Sequence, residues 1–342
     1  MKFHFISVLF ALLPLAVSAQ DSELLTLRVE ARVDYMQESV GDFKINDNSG
    51  FKGRYLNIRM DGNLFDGFSY SYRQRLNKPV ANSSFFDATD WLTLTYKYRN
   101  WSLSAGKQVV AIGGYEYDRA PIDLYFCSEY WNNIACYQLG VSGAYTTSDG
   151  KDQILFQFCE SPFRRNAANT FNEEMYAYNL MWYGNHGFFG AMYSVNFIEY
   201  LPGNYINYIA LGNKFTFGNF ALEIDLMNRA MSGSGFFLND YSIMGELSWK
   251  PLDRLNVFIR ATYDCNRAVT GDFCVLPGTE LLRAGAGLEF YPIKNYKNLR
   301  LHLNCCYTDG EASSTTVLRP EQTIADAGLT WYMNMLNIKR KK

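Results

Sequence analysis

Short stretches in which apolar and polar residues alternate recur along the chain, and the clearest of them spans 24–35. One parity of this stretch is apolar: Leu25, Leu27, Val29, Ala31, Val33 and Tyr35. The other parity is polar and carries four charges: Thr26, Arg28, Glu30, Arg32 and Asp34. Because successive side chains of a β-strand point to opposite faces, this stretch predicts a strand with one apolar and one charged face.

Sixteen such stretches predict sixteen strands. They span 24–35, 54–64, 68–76, 91–98, 101–108, 137–145, 152–159, 175–183, 188–198, 205–217, 220–229, 241–250, 255–264, 280–291, 299–307 and 323–335. The pattern is sharp in most of them and blurred at 152–159 and 205–217. An all-β fold follows, since strands of period two alternate with turn residues over the whole chain.

The connections between these strands differ in length in a regular order. Each long connection is followed by a short one, and the long ones fall at 37–50, 77–90, 109–136, 160–174, 199–204, 230–240, 265–279 and 308–322. Outer-membrane barrels have short periplasmic turns, long external loops and an even number of strands. A soluble β-sandwich has no reason to sort its loops by length. The sequence therefore predicts a 16-stranded antiparallel transmembrane β-barrel whose charged face lines the lumen.

The first residues have the features of an export signal. Lys2 gives a positive start, Phe5–Val17 is apolar, and Val17-Ser18-Ala19 offers small residues for cleavage. An apolar run of this length, interrupted by Pro14, is too short for a membrane-spanning helix, so cleavage is favoured over a retained anchor. We expect a signal peptide at 1–19 and a single barrel domain at 20–342.

Composition narrows the class of protein further. Tyr and Phe are abundant at 25 each, as expected for aromatic girdles at two membrane interfaces, and the net charge of −2 argues against a nucleic-acid partner. The seven Cys form no zinc-binding pattern, so no metal and no cofactor is predicted. Disulfides between Cys127 and Cys136, or Cys265 and Cys274, are conceivable, but small apolar filler is the favoured interpretation.

Charged residues on the lumen parity and in the longest connection indicate a candidate constriction. The basic wall consists of Arg59, Arg73, Arg75 and Lys97. The connection 109–136 is rich in Tyr, Phe and Ile, which favours a third external loop folded into the barrel. Its acids are Glu116, Asp118, Asp123 and Glu129, against Arg119 alone. Opposed charges across a pore orient polar solutes. The alternative is scattered lumen polarity without a constriction.

Two functions other than transport remain open. A barrel hydrolase acting on lipid would need an imidazole beside a nucleophile on the wall, and His302 with Asn304 on the same face is the candidate position. A plugged structural or adhesion barrel would bind a partner through its external loops. The sequence contains few residues suited to catalysis, so we predict that the protein is not an enzyme.

Three local motifs carry a resemblance to a known family. Gly106-Lys107-Gln108, Gly113-Gly114-Tyr115-Glu116-Tyr117-Asp118 and Pro121-Ile122-Asp123 resemble the Bacteroidetes branch of the phosphate-selective porin (O and P type) family. The resemblance implies a homotrimeric channel in the outer membrane of a Gram-negative bacterium, with an inward-folded third loop and a preference for anions. The expected function is a passive, water-filled porin for small polar or anionic solutes, surrounded by outer-membrane lipid.

Overall fold

The sixteen predicted strands are confirmed. The computed structural model describes residues 23–78, 84–165, 173–231, 233, 235–268, 274–313 and 316–340, so the expected signal peptide at 1–19 lies outside the described residues. Within these ranges the long strands are β1 (Glu23–Val40), β2 (Gly50–Phe65), β3 (Phe68–Arg75), β4 (Thr89–Tyr98), β5 (Trp101–Val109), β6 (Tyr137–Thr146), β7 (Asp152–Glu160), β8 (Tyr176–His186), β9 (Phe189–Leu201), β10 (Asn204–Phe217), β11 (Phe220–Met231), β12 (Asp240–Leu252), β13 (Leu255–Asn266), β14 (Thr279–Phe290), β15 (Leu299–Glu311) and β16 (Gln322–Lys339).

The sheet closes on itself as an antiparallel barrel. Each strand pairs with the next in the chain, and β1 pairs with β16 in a register that places Val33 opposite Leu329. A two-residue strand, Phe43–Lys44, adds to the end of β1. Closure leaves no unpaired edge, which satisfies the backbone hydrogen bonds that lipid could not.

Side-chain exposure identifies the two faces of the sheet. On β1, Val33 and Tyr35 are 54% and 50% exposed, whereas Arg32 and Asp34 are 1% and 2% exposed. Because the apolar parity faces outward and the charged parity inward, the outer face suits lipid and the inner face suits an aqueous lumen. Barrels of sixteen strands are wide enough to leave a water-filled channel.

The alternation of connection lengths has two exceptions. The connection between β9 and β10 was expected at 199–204, but both strands extend until only Pro202 and Gly203 remain, with Leu201 paired to Asn204. On the side of the short turns, the connection 291–298 has its own turn, in which the Tyr296 amide donates to the Ile293 carbonyl at 3.2 Å. Connections at one end of the barrel are therefore longer on average than those at the other end, but the rule does not hold for each connection.

The connection between β5 and β6 contains its own short elements. These are the helices α1 (Tyr115–Asp118) and α2 (Glu129–Asn133), with a 3₁₀ turn at Pro121–Asp123 between them. Val110, Ile112 and Ile122 are 0–2% exposed, so the apolar side chains of this connection are packed. Val110 and Ile112 belong to an apolar cluster with Ile206 and Tyr208 of β10.

Among the described residues, no helix is long and apolar enough to cross a membrane.

Candidate functional site

The connection 110–136, called here loop 3, approaches the barrel wall through its backbone. The Gly113 amide donates to the Ser194 hydroxyl at 2.8 Å, and the Gly114 amide donates to the Met192 carbonyl at 3.2 Å. A Cβ on Gly113 would lie 2.5 Å from the Met192 carbonyl oxygen, and Gly114 has a φ of +106°. Because only glycine permits both this approach and this dihedral, the Gly-Gly pair fixes loop 3 against β9.

Two carboxylates of the wall bind the first turns of the short helices. Asp225 of β11 accepts from the Glu116 amide at 2.7 Å, and Asp264 of β13 accepts from the Glu129 amide at 2.7 Å. Amides at the start of a helix have no partner within the helix, so a carboxylate there supplies both a hydrogen bond and a favourable charge. The strands of the wall thus help to hold both helices in place.

Two acids of loop 3 pair with arginines on β13 and β15. The Arg260 guanidinium lies 2.6 Å from Glu116 Oε1, and the Arg300 guanidinium lies 2.7 Å from Asp123 Oδ1. Glu116 and Asp123 therefore pair with arginines outside the predicted basic wall of the second to fourth strands. Arg260 and Arg300 lie on the lumen parity of later strands, and a parity count extended to those strands would have found them.

The remaining two acids have different environments. Glu129 is fully buried and accepts from the Val317 and Leu318 amides, both at 2.8 Å, so it fastens the last long connection to loop 3. Asp118 is exposed and lines a cavity of about 400 Å³ together with Arg59 and Arg73. Of the four predicted acids, Asp118 is the one that shares a cavity with the predicted basic wall.

Arg119 is the cation through which loop 3 contacts the acids of the wall. Its guanidinium donates to Glu246 at 2.6 and 2.7 Å and also to Glu223. Lys214 lies 2.9 Å from Glu223 on the wall side. The sequence interpretation treated Arg119 as the exception in an acidic loop, although it supplies the most extensive ion pairing of loop 3.

The predicted basic wall is paired with acids. The register places Arg59 opposite Arg73, but Arg59 lies 2.7 Å from Asp61 and Arg73 lies 3.1 Å from Glu30. Arg75 lies 3.2 Å from Asp90, an acid just before the predicted start of the fourth strand. Three of the four bases are therefore adjacent and largely neutralised.

Lys97 does not join this group. It is exposed near the short-turn end of β4, six positions beyond Trp91, which packs with Arg73. At about 3.3 Å per residue, the strand carries Lys97 roughly 20 Å from that level of the barrel.

His302 lies in a buried ion-pair cluster. Its Nε2 is 3.1 Å from Asp34 and 3.4 Å from Asp326, and Arg32 Nη2 is 2.8 Å from Asp34. Among the described residues, these three His and Asp side chains form the one group compact enough to hold a metal ion. Arg32 already supplies a cation to the same carboxylate, so the donor set fits an ion-pair cluster better than a metal site. Carboxylates, not a nucleophile, surround the imidazole that the hydrolase alternative requires.

Two further cavities border loop 3 and share Leu124, Tyr125 and Phe126. One, of about 280 Å³, is lined by five basic residues and four acidic ones. The other, of about 250 Å³, is lined by three arginines and one glutamate. Tyr125 forms part of the boundary between them, with its ring 4.7 Å from the Arg32 guanidinium. Loop 3 therefore lies among charged cavities on this side.

Comparison with known proteins decides the family. A family model for phosphate-selective porins O and P matches residues 25–201, which is more than half of the chain. The chain belongs to this family. It is a passive porin of the Gram-negative outer membrane.

Solved structures of outer-membrane proteins share the fold of this porin. The loop L8 deletion mutant of OmpT from Vibrio cholerae has a TM-score of 0.62 at 13% identity, covering 92% of this chain and 100% of that one. The anion-selective porin from Comamonas acidovorans has a TM-score of 0.61 at 12% identity, covering 90% and 99%. The channel DcaP of Acinetobacter baumannii has a TM-score of 0.61 at 12% identity, covering 90% and 96%. No curated protein matches the sequence.

Proposed function

We propose that loop 3 folds into the lumen of this porin, narrows it, and leaves a constriction that favours small anions. The contacts of loop 3 support this proposal, because its side chains and amides bond to lumen-facing groups on strands far apart in the barrel. Ser194 belongs to β9, Asp225 to β11, Arg260 to β13 and Arg300 to β15. Contacts with four separate strands favour a loop inside the barrel over a free external loop above its mouth.

The observation that carries the preference for anions is the excess of basic side chains in the two charged cavities. Arg283 in the 250 Å³ cavity is buried, and its guanidinium donates to the neutral Thr308 and Gln322 at 2.8 and 2.5 Å. Lys250 lines the 280 Å³ cavity and is exposed. Fixed positive charge along a narrow pore lowers the energy of anions and raises that of cations. The anion-selective porin from Comamonas acidovorans, with the same fold, agrees with this direction.

Reversal potentials in planar bilayers under a KCl gradient test the proposal. We expect the wild type to prefer chloride, and Lys250→Gln to lower the chloride-to-potassium permeability ratio. Lys44→Gln is the matched control, because Lys44 is an exposed residue at the edge of the first long connection and outside both cavities. A wild-type preference for potassium would overturn the anion proposal, and absence of any conductance would overturn the channel.

Family membership points to a channel and not to an enzyme, and the same conductance experiment separates a porin from a plugged adhesion barrel. We propose a homotrimer in outer-membrane lipid, since a trimer form of OmpT from Vibrio cholerae shares the fold. Mass spectrometry of the exported protein should give Gln20 as its first residue, and chemical cross-linking in native membranes should give trimers.

A further inference from the structure

The cavity of about 400 Å³ beside loop 3 differs in lining from the two charged cavities. It lies between loop 3 and the wall formed by β2 to β8. Its aromatic side chains come from both sides. The wall supplies Trp91 of β4, Tyr137 of β6 and Tyr183 of β8, and loop 3 supplies Tyr117 and Trp131. Aromatic surface facing an aqueous passage is unfavourable unless something packs on it. The lining therefore suits a solute that has an apolar face.

The polar groups in this cavity are planar and largely neutralised. The guanidinium groups of Arg59 and Arg73 lie 5.4 and 4.9 Å from the ring of Trp91, and each is paired with a carboxylate of the wall. Gln108 and Asp118 line the same space. The cavity thus offers hydrogen-bond donors and acceptors beside flat apolar faces, with little unpaired charge for an anion to bind.

This combination matches the chemistry of a sugar ring. A pyranose has hydroxyl groups around its edge and a face of C–H bonds, so it packs on an aromatic ring while its hydroxyls bond to planar polar groups. Small-molecule sites have volumes of roughly 300–1,000 Å³ and combine apolar or aromatic walls with a few placed polar groups, as this cavity does. The cavity also adjoins both charged cavities, sharing Arg119 with one and Trp131 with the other.

We propose that this cavity is a binding subsite for neutral saccharides on the permeation path, with Trp91 and Tyr183 as stacking surfaces and Arg59, Gln108 and Asp118 as hydroxyl partners. The proposal rests on the porin function, because a saccharide reaches the cavity only through an open channel. It adds a solute class that the charged cavities do not predict.

Sugar block of single-channel current tests the subsite. Glucose, galactose, maltose and N-acetylglucosamine are the probes, and mannitol is the control polyol, since it has the hydroxyls without a ring face. We expect at least one of the four sugars to reduce the wild-type current in a saturable manner and mannitol to reduce it only by viscosity. Trp91→Ala should weaken the block about tenfold, which corresponds to ~1.4 kcal/mol of binding free energy. Trp91→Phe should restore most of it.

A variant in a charged cavity separates this proposal from the porin function. Lys250→Gln should change ion selectivity and leave the sugar block unaltered, because Lys250 does not line the aromatic cavity. A conducting wild type that none of the four sugars blocks would overturn the subsite and leave the porin intact. Equal block by mannitol, or block unchanged in Trp91→Ala, would overturn it as well. If the wild-type protein does not conduct before any sugar is added, the channel function itself is refuted.

Discussion

Removal of Arg119 should shift the selectivity of the pore toward cations. Arg119 lies between Glu223 and Glu246, and Lys214 and Arg260 pair with the same two carboxylates. With Arg119 present, the positive and negative charges of this cluster and the adjacent Glu116 are equal in number. In Arg119→Gln the cluster gains one net negative charge at the wall of the 280 Å³ cavity.

The size of the shift follows from the electrostatic energy of a passing ion. An ion about 7 Å from the lost charge changes in energy by ~0.6 kcal/mol at the dielectric constant of water, and by about half of that with screening at 0.1 M salt. The energies of an anion and of a cation change in opposite directions. With RT at ~0.6 kcal/mol, the ratio of their permeabilities should therefore change roughly three- to eightfold.

The assay is the reversal potential in planar bilayers, with a second variant that separates charge from structure. Arg119→Gln/Glu223→Gln removes one charge of each sign, so its permeability ratio should return to the wild-type value. If the double variant stays shifted, displacement of loop 3 and not charge is responsible. An unchanged ratio in Arg119→Gln, or a shift toward anions, would refute the reasoning.

Three further predictions concern how the loops are held. Gly113→Val should raise open-channel conductance, because its side chain would displace loop 3 from the Met192 carbonyl. Gly245→Val is the control, because a Cβ there would meet no atom within 4 Å, and equal currents in both variants would contradict the prediction. Glu129→Gln should speed proteolysis within 312–321, since it weakens two charge-assisted bonds to backbone amides of about 1.5–3 kcal/mol each; wild-type cleavage rates would argue against this anchor. The amide of Ser84, followed by the guanidinium of Arg165, lowers the pKa of Asp87 to about 2. The Asp87 carboxylate should therefore stay ionised in mild acid, and its contribution to stability should be lost only as pH falls through about 2. An NMR titration should show a higher pKa for Asp87 in Arg165→Ala.

The lumen face could be predicted residue by residue along single strands, but partners across the lumen could not. Arg59, Arg73 and Arg75 were assigned to the correct face from parity alone. The neutralisation of Arg73 by Glu30 and of Arg75 by Asp90 depends on how the strands are arranged and in what register. Asp90, one residue outside a predicted strand, was missed. The pairing of loop acids with Arg260 and Arg300 depends on the path of loop 3, which no local pattern encodes.

Side-chain alternation is a local property of each strand, so the barrel, its strand number and its two faces could be predicted from the sequence alone. The sequence also indicated that the connection between β5 and β6 is unusually apolar. The pairing of charges and the position of the aromatic cavity are seen only in the folded barrel. Those features depend on distances between strands and loop residues that are far apart in the chain, such as Arg119 and Glu246, and such distances are set by barrel closure and not by any single segment.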